Sequence, residues 1–220
     1  MARIDAVLFD LDGTLIDSAP DLAGAANDLR AAHGLPPLPY EALRPMVGAG
    51  ARGMVGVAFG VTPQDDRFPE LRDAFLARYE ERMLQETAVF AAVQRLLARL
   101  EAHPLPWGIV TNKAMRFAEP VVRGLELHTR AATLIGGDTT PFAKPHPQPL
   151  LEAARRIGVE PARCVYVGDD LRDVQAGRAA GMATLAAAWG YLGQGEPIHA
   201  WGADAVIEDP DGVLNWLELP

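Results

Sequence analysis

The string Asp10-Leu11-Asp12-Gly13-Thr14 follows the short apolar run Ala6-Val7-Leu8-Phe9. A run this short, closed by a polar, glycine-bearing turn, reads as a buried strand that delivers its last residues to a site. Residues two apart in extended chain point the same way, so Asp10 and Asp12 can face one pocket while Gly13 lets the backbone turn away. Two carboxylates in one small space repel and raise each other's pKa unless a cation or a proton is shared between them, and such tension often marks a reactive site. The same string is also a common strand-to-loop turn. What tips the balance lies downstream: Trp107-Gly108-Ile109-Val110 leads into Thr111-Asn112, Cys164-Val165-Tyr166-Val167 leads into Gly168-Asp169-Asp170, and Lys144 stands between them.

Groups of complementary charge at the ends of three apolar runs require elements that bring those ends together. In an open α/β sheet ligands bind outside the carboxyl ends of the strands, so all three would converge on one crevice. The motifs D-x-D-G-T, T-N, a lone Lys followed by Pro, and G-D-D-x-x-D, in this order across the whole chain, resemble those of the haloacid dehalogenase superfamily of phosphohydrolases. That resemblance implies a Rossmann-like parallel-sheet core whose first strand is central, with a helical cap inserted after it.

The periodicity along the chain agrees with alternating strands and helices. Ser18-Ala19-Pro20-Asp21 reads as a helix start, followed by Leu22, Ala25, Ala26 and Leu29 at helical spacing up to His33-Gly34. Leu35 to Pro39 breaks that helix, Val47 to Gly53 is a glycine-rich loop or helix start, and Phe68, Leu71, Phe75, Tyr79 and Met83 mark one face of a long helix. Nothing between Ser18 and about Thr87 reads as a strand. We therefore expect a helical unit over residues 17–87 and a discontinuous α/β core over residues 1–16 and 88–220. Strands are expected at Trp107 to Val110, Ala132 to Ile135, Cys164 to Val167 and Thr184 to Ala187, each separated by helices.

The 220 residues are enough for a core domain plus a smaller module. A formal charge of −9 disfavours nucleic acid or an anionic membrane as partner, because binding phosphate backbones needs a basic face. The single cysteine, Cys164, lies in an apolar strand and reads as a buried thiol in a reducing compartment. With no apolar stretch long enough to span a membrane, the expectation is a cytoplasmic monomer or homodimer acting on a small-molecule phosphate ester.

The resemblance implies a role for each motif residue. Asp10 is the expected nucleophile and forms an aspartyl-phosphate; Asp12 is the acid that protonates the leaving oxygen and then the base toward water. Mg²⁺, which prefers oxygen ligands, suits Asp10, the main-chain carbonyl of Asp12 and Asp169 better than any site the five scattered histidines could build. Thr111, Asn112 and Lys144 are expected to bind the phosphate. Asp173, one turn beyond Asp169, would orient Lys144 or a metal-bound water, while Asp170 caps its helix.

For the leaving group, Leu15 to Asp21 and Gly136-Gly137-Asp138 resemble phosphoglycolate phosphatases. Gly48 to Val55, Arg116 to Pro120 and Trp201 to Asp204 also resemble the related N-acetylmuramic acid 6-phosphate phosphatases. We place phosphoglycolate first and the muramic ester second. Both substrates carry a carboxylate, for which Arg52 is the candidate partner, with Lys113 and Arg116 as further cations. A phosphomutase built on the same four motifs and a non-catalytic phosphoprotein-binding module are the readings from other classes.

Overall fold

A computed structural model describes residues 3–219. Its elements in chain order are β1 (Ala6–Phe9), β2 (Ile16–Asp17), α1 (Ala19–Ala32), α2 (Tyr40–Leu43), α3 (Gly50–Phe59) and α4 (Phe68–Arg82). There follow β3 (Ala88–Val89), α5 (Ala91–Glu101), β4 (Trp107–Val110), α6 (Met115–Gly124), β5 (Leu134–Ile135) and α7 (Gln148–Ile157). The chain ends with β6 (Cys164–Gly168), α8 (Leu171–Ala179), β7 (Ala183–Ala187), β8 (Ala205–Ile207) and α9 (Asp211–Trp216).

Six strands form a parallel sheet in the order β5-β4-β1-β6-β7-β8, with β1 between β4 and β6 as expected. Alternation along β1 splits its side chains between two faces. Val7 and Phe9 join Val93, Leu96, Val121 and Leu214, from α5, α6 and α9, in one apolar layer. Ala6 and Leu8 join Leu150 and Ala153 of α7 and Ala176 of α8 in the other. Helices thus cover both faces, which is why the central strands are apolar throughout rather than alternating.

Helices α1 to α4 pack around a separate cluster that includes Leu22, Leu29, Leu43, Met54, Phe75 and Tyr79. The chain enters and leaves this helical insertion through β2 and β3, which pair antiparallel with Ile16 opposite Val89. Just beyond that ribbon the buried Asp21 accepts hydrogen bonds from the main-chain N–H groups of Glu86 and Thr87 and from the Thr87 hydroxyl. The two connections are therefore tied together.

Several boundaries move. The strand expected from Ala132 shrinks to Leu134–Ile135. The glycine-rich stretch becomes a 3₁₀ segment, Arg44–Ala49, followed by α3. Ser18 makes no side-chain cap to α1; its hydroxyl donates to Asp12 instead, at 2.5 Å. The β2–β3 ribbon, β8 and α9 have no counterpart in the sequence reading, because each is too short for its periodicity to register.

Candidate active site

Three strand ends build the site. Asp10 follows β1, and its main-chain N–H donates to Val167 O at 2.9 Å, so the pairing with β6 sets its position. Thr111 follows β4 and is fixed in the same way by Ile135 O at 2.9 Å. Asp169 follows β6.

Lys144 reaches this crevice from the loop after β5, and its buried ammonium lies 2.8 Å from Asp10 Oδ1 and 2.7 Å from Asp173 Oδ1. It also lies 2.7 Å from the Tyr166 hydroxyl and 3.0 Å from Val110 O. Three N–H bonds against four oxygens leave no donor free. Its main chain is clamped by Asn112, whose side-chain amide donates to Lys144 O and accepts from Lys144 N, both at 2.9 Å. Burial alone would lower the Lys144 pKa, but the Asp10 and Asp173 carboxylates outweigh it and raise it above the ordinary range.

Asp169 is held on both oxygens. The Thr14 hydroxyl donates to Oδ1 at 2.9 Å and the main-chain N–H of Tyr191 to Oδ2 at 2.7 Å. Around it the backbone must come close: a Cβ on Gly13, where φ is +85°, or on Gly190 would collide with the Asp169 side chain. Burial, with Asp10 and Asp173 nearby, pushes the Asp169 pKa well above the carboxylate range. Asp173 is pushed up to about 7, burial being the larger cause. Oxygens of Asp10, Asp169 and Asp173 lie within 4.8 Å of one another. Hard oxygen donors gathered this closely, with Asp169 and Asp173 resisting ionisation, fit a small divalent cation such as Mg²⁺, which relieves that repulsion.

Asp170 caps α8, its carboxylate accepting from Arg172 N at 2.9 Å while the Asp173 carboxylate accepts from Asp170 N at 3.0 Å. Asp170 is thus the helix cap expected from its spacing, and Asp173 lies 2.7 Å from the Lys144 ammonium. Asp12 is gripped by Lys113, whose ammonium lies 2.9 and 3.1 Å from its two oxygens, and by the Ser18 hydroxyl.

Above these groups a cavity of about 360 Å³ opens between the sheet and the helical insertion. Its floor is Asp10, Asp12, Thr111, Lys144 and Asp169; its upper wall is Val47, Phe75, Leu76 and Tyr79, with Phe117 of α6 beside them. The Tyr79 hydroxyl is buried among them without a hydrogen-bond partner among the described residues. The sequence reading is corrected at Arg52, which does not line this cavity. It borders a separate depression with Met46, Leu192 and Trp201, because its place on α3 turns it outward. Besides Lys144, the cations that do line the cavity are Lys113, Arg116 and Arg172. Of these Lys113 is bound to Asp12, and Arg172 to Asp170 and to Gly48 O. Arg116 stacks on Phe117, 4.3 Å from its ring centre, and makes no ion pair among the described residues.

Three contributors escaped the sequence reading. Thr14 was visible only as the end of the first motif. Tyr166 was the one hydroxyl in an otherwise apolar strand, a signal that it reaches beyond the sheet. Trp189-Gly190-Tyr191 gave no sign, since its partners lie far away in sequence.

A sequence model of the haloacid dehalogenase-like hydrolases matches residues 7–187. Over 217 residues the chain is 42% identical to an N-acetylmuramic acid 6-phosphate phosphatase of Pseudomonas aeruginosa, covering 98% of this chain and 96% of that one. Over 209 residues it is 48% identical to a phosphoglycolate phosphatase of Xanthomonas campestris pv. campestris, covering 93% and 92%. Among solved structures, a predicted phosphoglycolate phosphatase from Haemophilus somnus superposes with a TM-score of 0.85 at 26% identity, covering 98% of this chain and 99% of that one.

Proposed function

This chain belongs to the haloacid dehalogenase-like hydrolase family, and on that footing we propose that it is a Mg²⁺-dependent phosphomonoesterase acting through an aspartyl-phosphate on a small, carboxylate-bearing ester. The observation that carries the reading is the buried ion pair of Lys144 with Asp10 at a strand end shared with Asp169. A carboxylate held by an ammonium at 2.8 Å is fixed in direction and ready to attack phosphorus.

In the first step an Asp10 oxygen attacks phosphorus and the bond to the leaving oxygen breaks, with Asp12 supplying the proton that leaves with the alcohol. In the second, water attacks the aspartyl-phosphate, Asp12 takes its proton, and inorganic phosphate departs with Asp10 regenerated. Thr111 binds an oxygen of the transferring group, Lys144 lends it positive charge from beside Asp10, and Asn112 contributes by fixing the backbone of Lys144. Asp10, Asp169 and the Asp12 carbonyl would hold Mg²⁺, which when bound supplies charge to offset that of the phosphate. The helical insertion over residues 17–87 acts as a cap that selects the leaving group and excludes water.

Two leaving groups remain in view. Phosphoglycolate is supported by the activity for which the 48% identical Xanthomonas relative is named. The muramic ester is supported by the activity of the Pseudomonas relative and by a specific observation, the size of the cavity. About 360 Å³ falls within the roughly 300–1,000 Å³ of sites that enclose drug-sized ligands. A two-carbon acid would leave most of it empty, whereas an acylated amino sugar would lie against Phe75, Leu76 and Phe117. The geometry therefore favours N-acetylmuramic acid 6-phosphate, with Arg116 rather than Arg52 as the guanidinium toward its carboxylate. Phosphate release from both esters, compared as kcat/KM with and without Mg²⁺, tests the reading. A preference of tenfold or more for the muramic ester is expected; preference for phosphoglycolate assigns that activity, and no release from either overturns the hydrolase reading.

A further inference from the structure

The segment Trp189-Gly190-Tyr191, just after β7, touches four separate parts of the machinery. The Trp189 indole N–H donates to Thr14 O at 3.0 Å, in the turn that follows the nucleophile. The main-chain N–H of Tyr191 donates to Asp169 Oδ2. The Tyr191 hydroxyl accepts the main-chain N–H groups of Ser18 and Ala19, at 2.8 and 3.0 Å, and donates to Asp17 Oδ1 at 2.9 Å. From the helical insertion, Arg44 lies over the Tyr191 ring, 4.9 Å from its centre, and donates to Gly190 O at 3.2 Å.

These contacts meet where they matter geometrically. Residues 17–19 are the junction between β2 and α1, the point about which the insertion must pivot if it moves. Helix starts have unsatisfied N–H groups that are usually met by their own N-cap side chain. Here the N-cap residue Ser18 has given its hydroxyl to Asp12, and the N–H groups of Ser18 and Ala19 are met by a phenol from the far end of the chain, with Asp17 Oδ1 a second, longer acceptor for Ala19 at 3.3 Å. Tyr191 is buried, with 4% of its surface exposed, so no water can readily substitute. One residue therefore fixes the entry junction through its side chain and a carboxylate of the metal site through its main chain.

We propose that Tyr191 is a positioning residue that holds the entry junction of the insertion in the arrangement that closes over the site. The proposal rests on the phosphatase reading above for its kinetic consequences but not for the clamp itself. Because the main-chain N–H to Asp169 survives substitution, the two functions separate: losing the hydroxyl should loosen the junction and leave the metal site intact. A smaller closed fraction raises the apparent binding constant without altering the chemistry once the site is closed.

The test is Tyr191→Phe, which keeps the ring and removes only the hydroxyl. Amide exchange at Ser18 and Ala19, read by NMR, should accelerate about tenfold. With p-nitrophenyl phosphate as probe, KM should rise about five- to tenfold while kcat and the half-saturating Mg²⁺ concentration stay within about twofold. Arg44→Ala, on the opposite side of the ring, should raise KM as well, and the double variant should fall short of the product of the two effects because both act on one junction. Unchanged exchange at both amides overturns the clamp, as does a KM within twofold of the parent or full multiplication in the double variant. A loss confined to kcat with a shifted Mg²⁺ requirement also overturns it, since that assigns Tyr191 to the metal site alone. If the parent protein releases no phosphate, the phosphatase reading fails while the exchange measurement still decides the clamp.

Discussion

The floor and the upper wall of the cavity are built on opposite principles. On the floor nearly every polar group has a partner: Lys144 has four oxygens, Asp169 a donor on each oxygen, Asp12 both Lys113 and Ser18. On the wall the side chains are Val47, Phe75, Leu76 and Tyr79, and the one hydroxyl there has no partner among the described residues. On the proposed reading the floor groups that perform the reaction are locked before substrate arrives, so little reorganisation is needed in the transition state. The wall would then choose the substrate by shape, and an apolar wall discriminates only weakly per methylene. Two relatives of similar identity to this chain carry different activity names, as such a division allows.

The contrast breaks first on the floor. Asp10→Asn keeps the fold but should lower phosphate release by on the order of 10⁴-fold or more, read as kcat at saturating Mg²⁺. Lys144→Met leaves Asp10 and Asp173 buried without their shared cation. Beyond the loss of activity, chemical denaturation should report a loss of about 3–5 kcal/mol, the usual cost of removing one member of a buried ion pair.

A third test uses acidity. The unfolded chain releases the Asp173 proton near the ordinary 3.8, whereas the metal-free fold keeps it up to about 7. This contribution to stability is fully present below about pH 4 and is lost as pH rises through 7, the folded state binding more protons than the unfolded one in between. Melting in EDTA should therefore occur at a lower temperature at pH 8 than at pH 5, and saturating Mg²⁺ should narrow the gap. A melting temperature in EDTA that rises over this range sinks the account.

Changes on the wall should be smaller and selective. Leu76→Trp fills the cavity and should cut kcat/KM for the muramic ester about tenfold while leaving p-nitrophenyl phosphate within about twofold. Arg52→Ala should change neither by more than about twofold, since Arg52 lies outside the cavity.

The floor was legible in sequence because its chemistry is concentrated at strand ends, where a switch from apolar run to Asp, Thr, Asn or Gly is abrupt. Asp170 and Asp173 could be separated by helical spacing alone, and the capping box at α8 agrees with that separation. The helical stretch after β1 was equally readable from run length and period, whereas the central place of β1 came from the family resemblance. The wall was not. Arg52 and Arg116 have similar sequence surroundings, and only the packing of α3 and α6 decides which one reaches the cavity. Tyr191 was invisible for another reason: its partners at residues 17–19 and 44 belong to the opposite end of the chain.

Splitting the core around an insertion also has a consequence for how the chain is made. Val7 pairs with Trp107 on one side and with Val165 on the other, so the central strand has no sheet partner until about half of the polypeptide has been made and lacks its second until most of it has. The helices over residues 19–82 have an apolar cluster of largely local contacts and can collapse during synthesis, whereas β1 must wait. Until Trp107–Val110 emerges the strand is an exposed apolar segment with two unpaired edges, and one edge stays open until Cys164–Gly168 arrives. The chain's vulnerability to aggregation is therefore greatest at mid-translation and sits in Ala6–Phe9, immediately before Asp10, the proposed nucleophile.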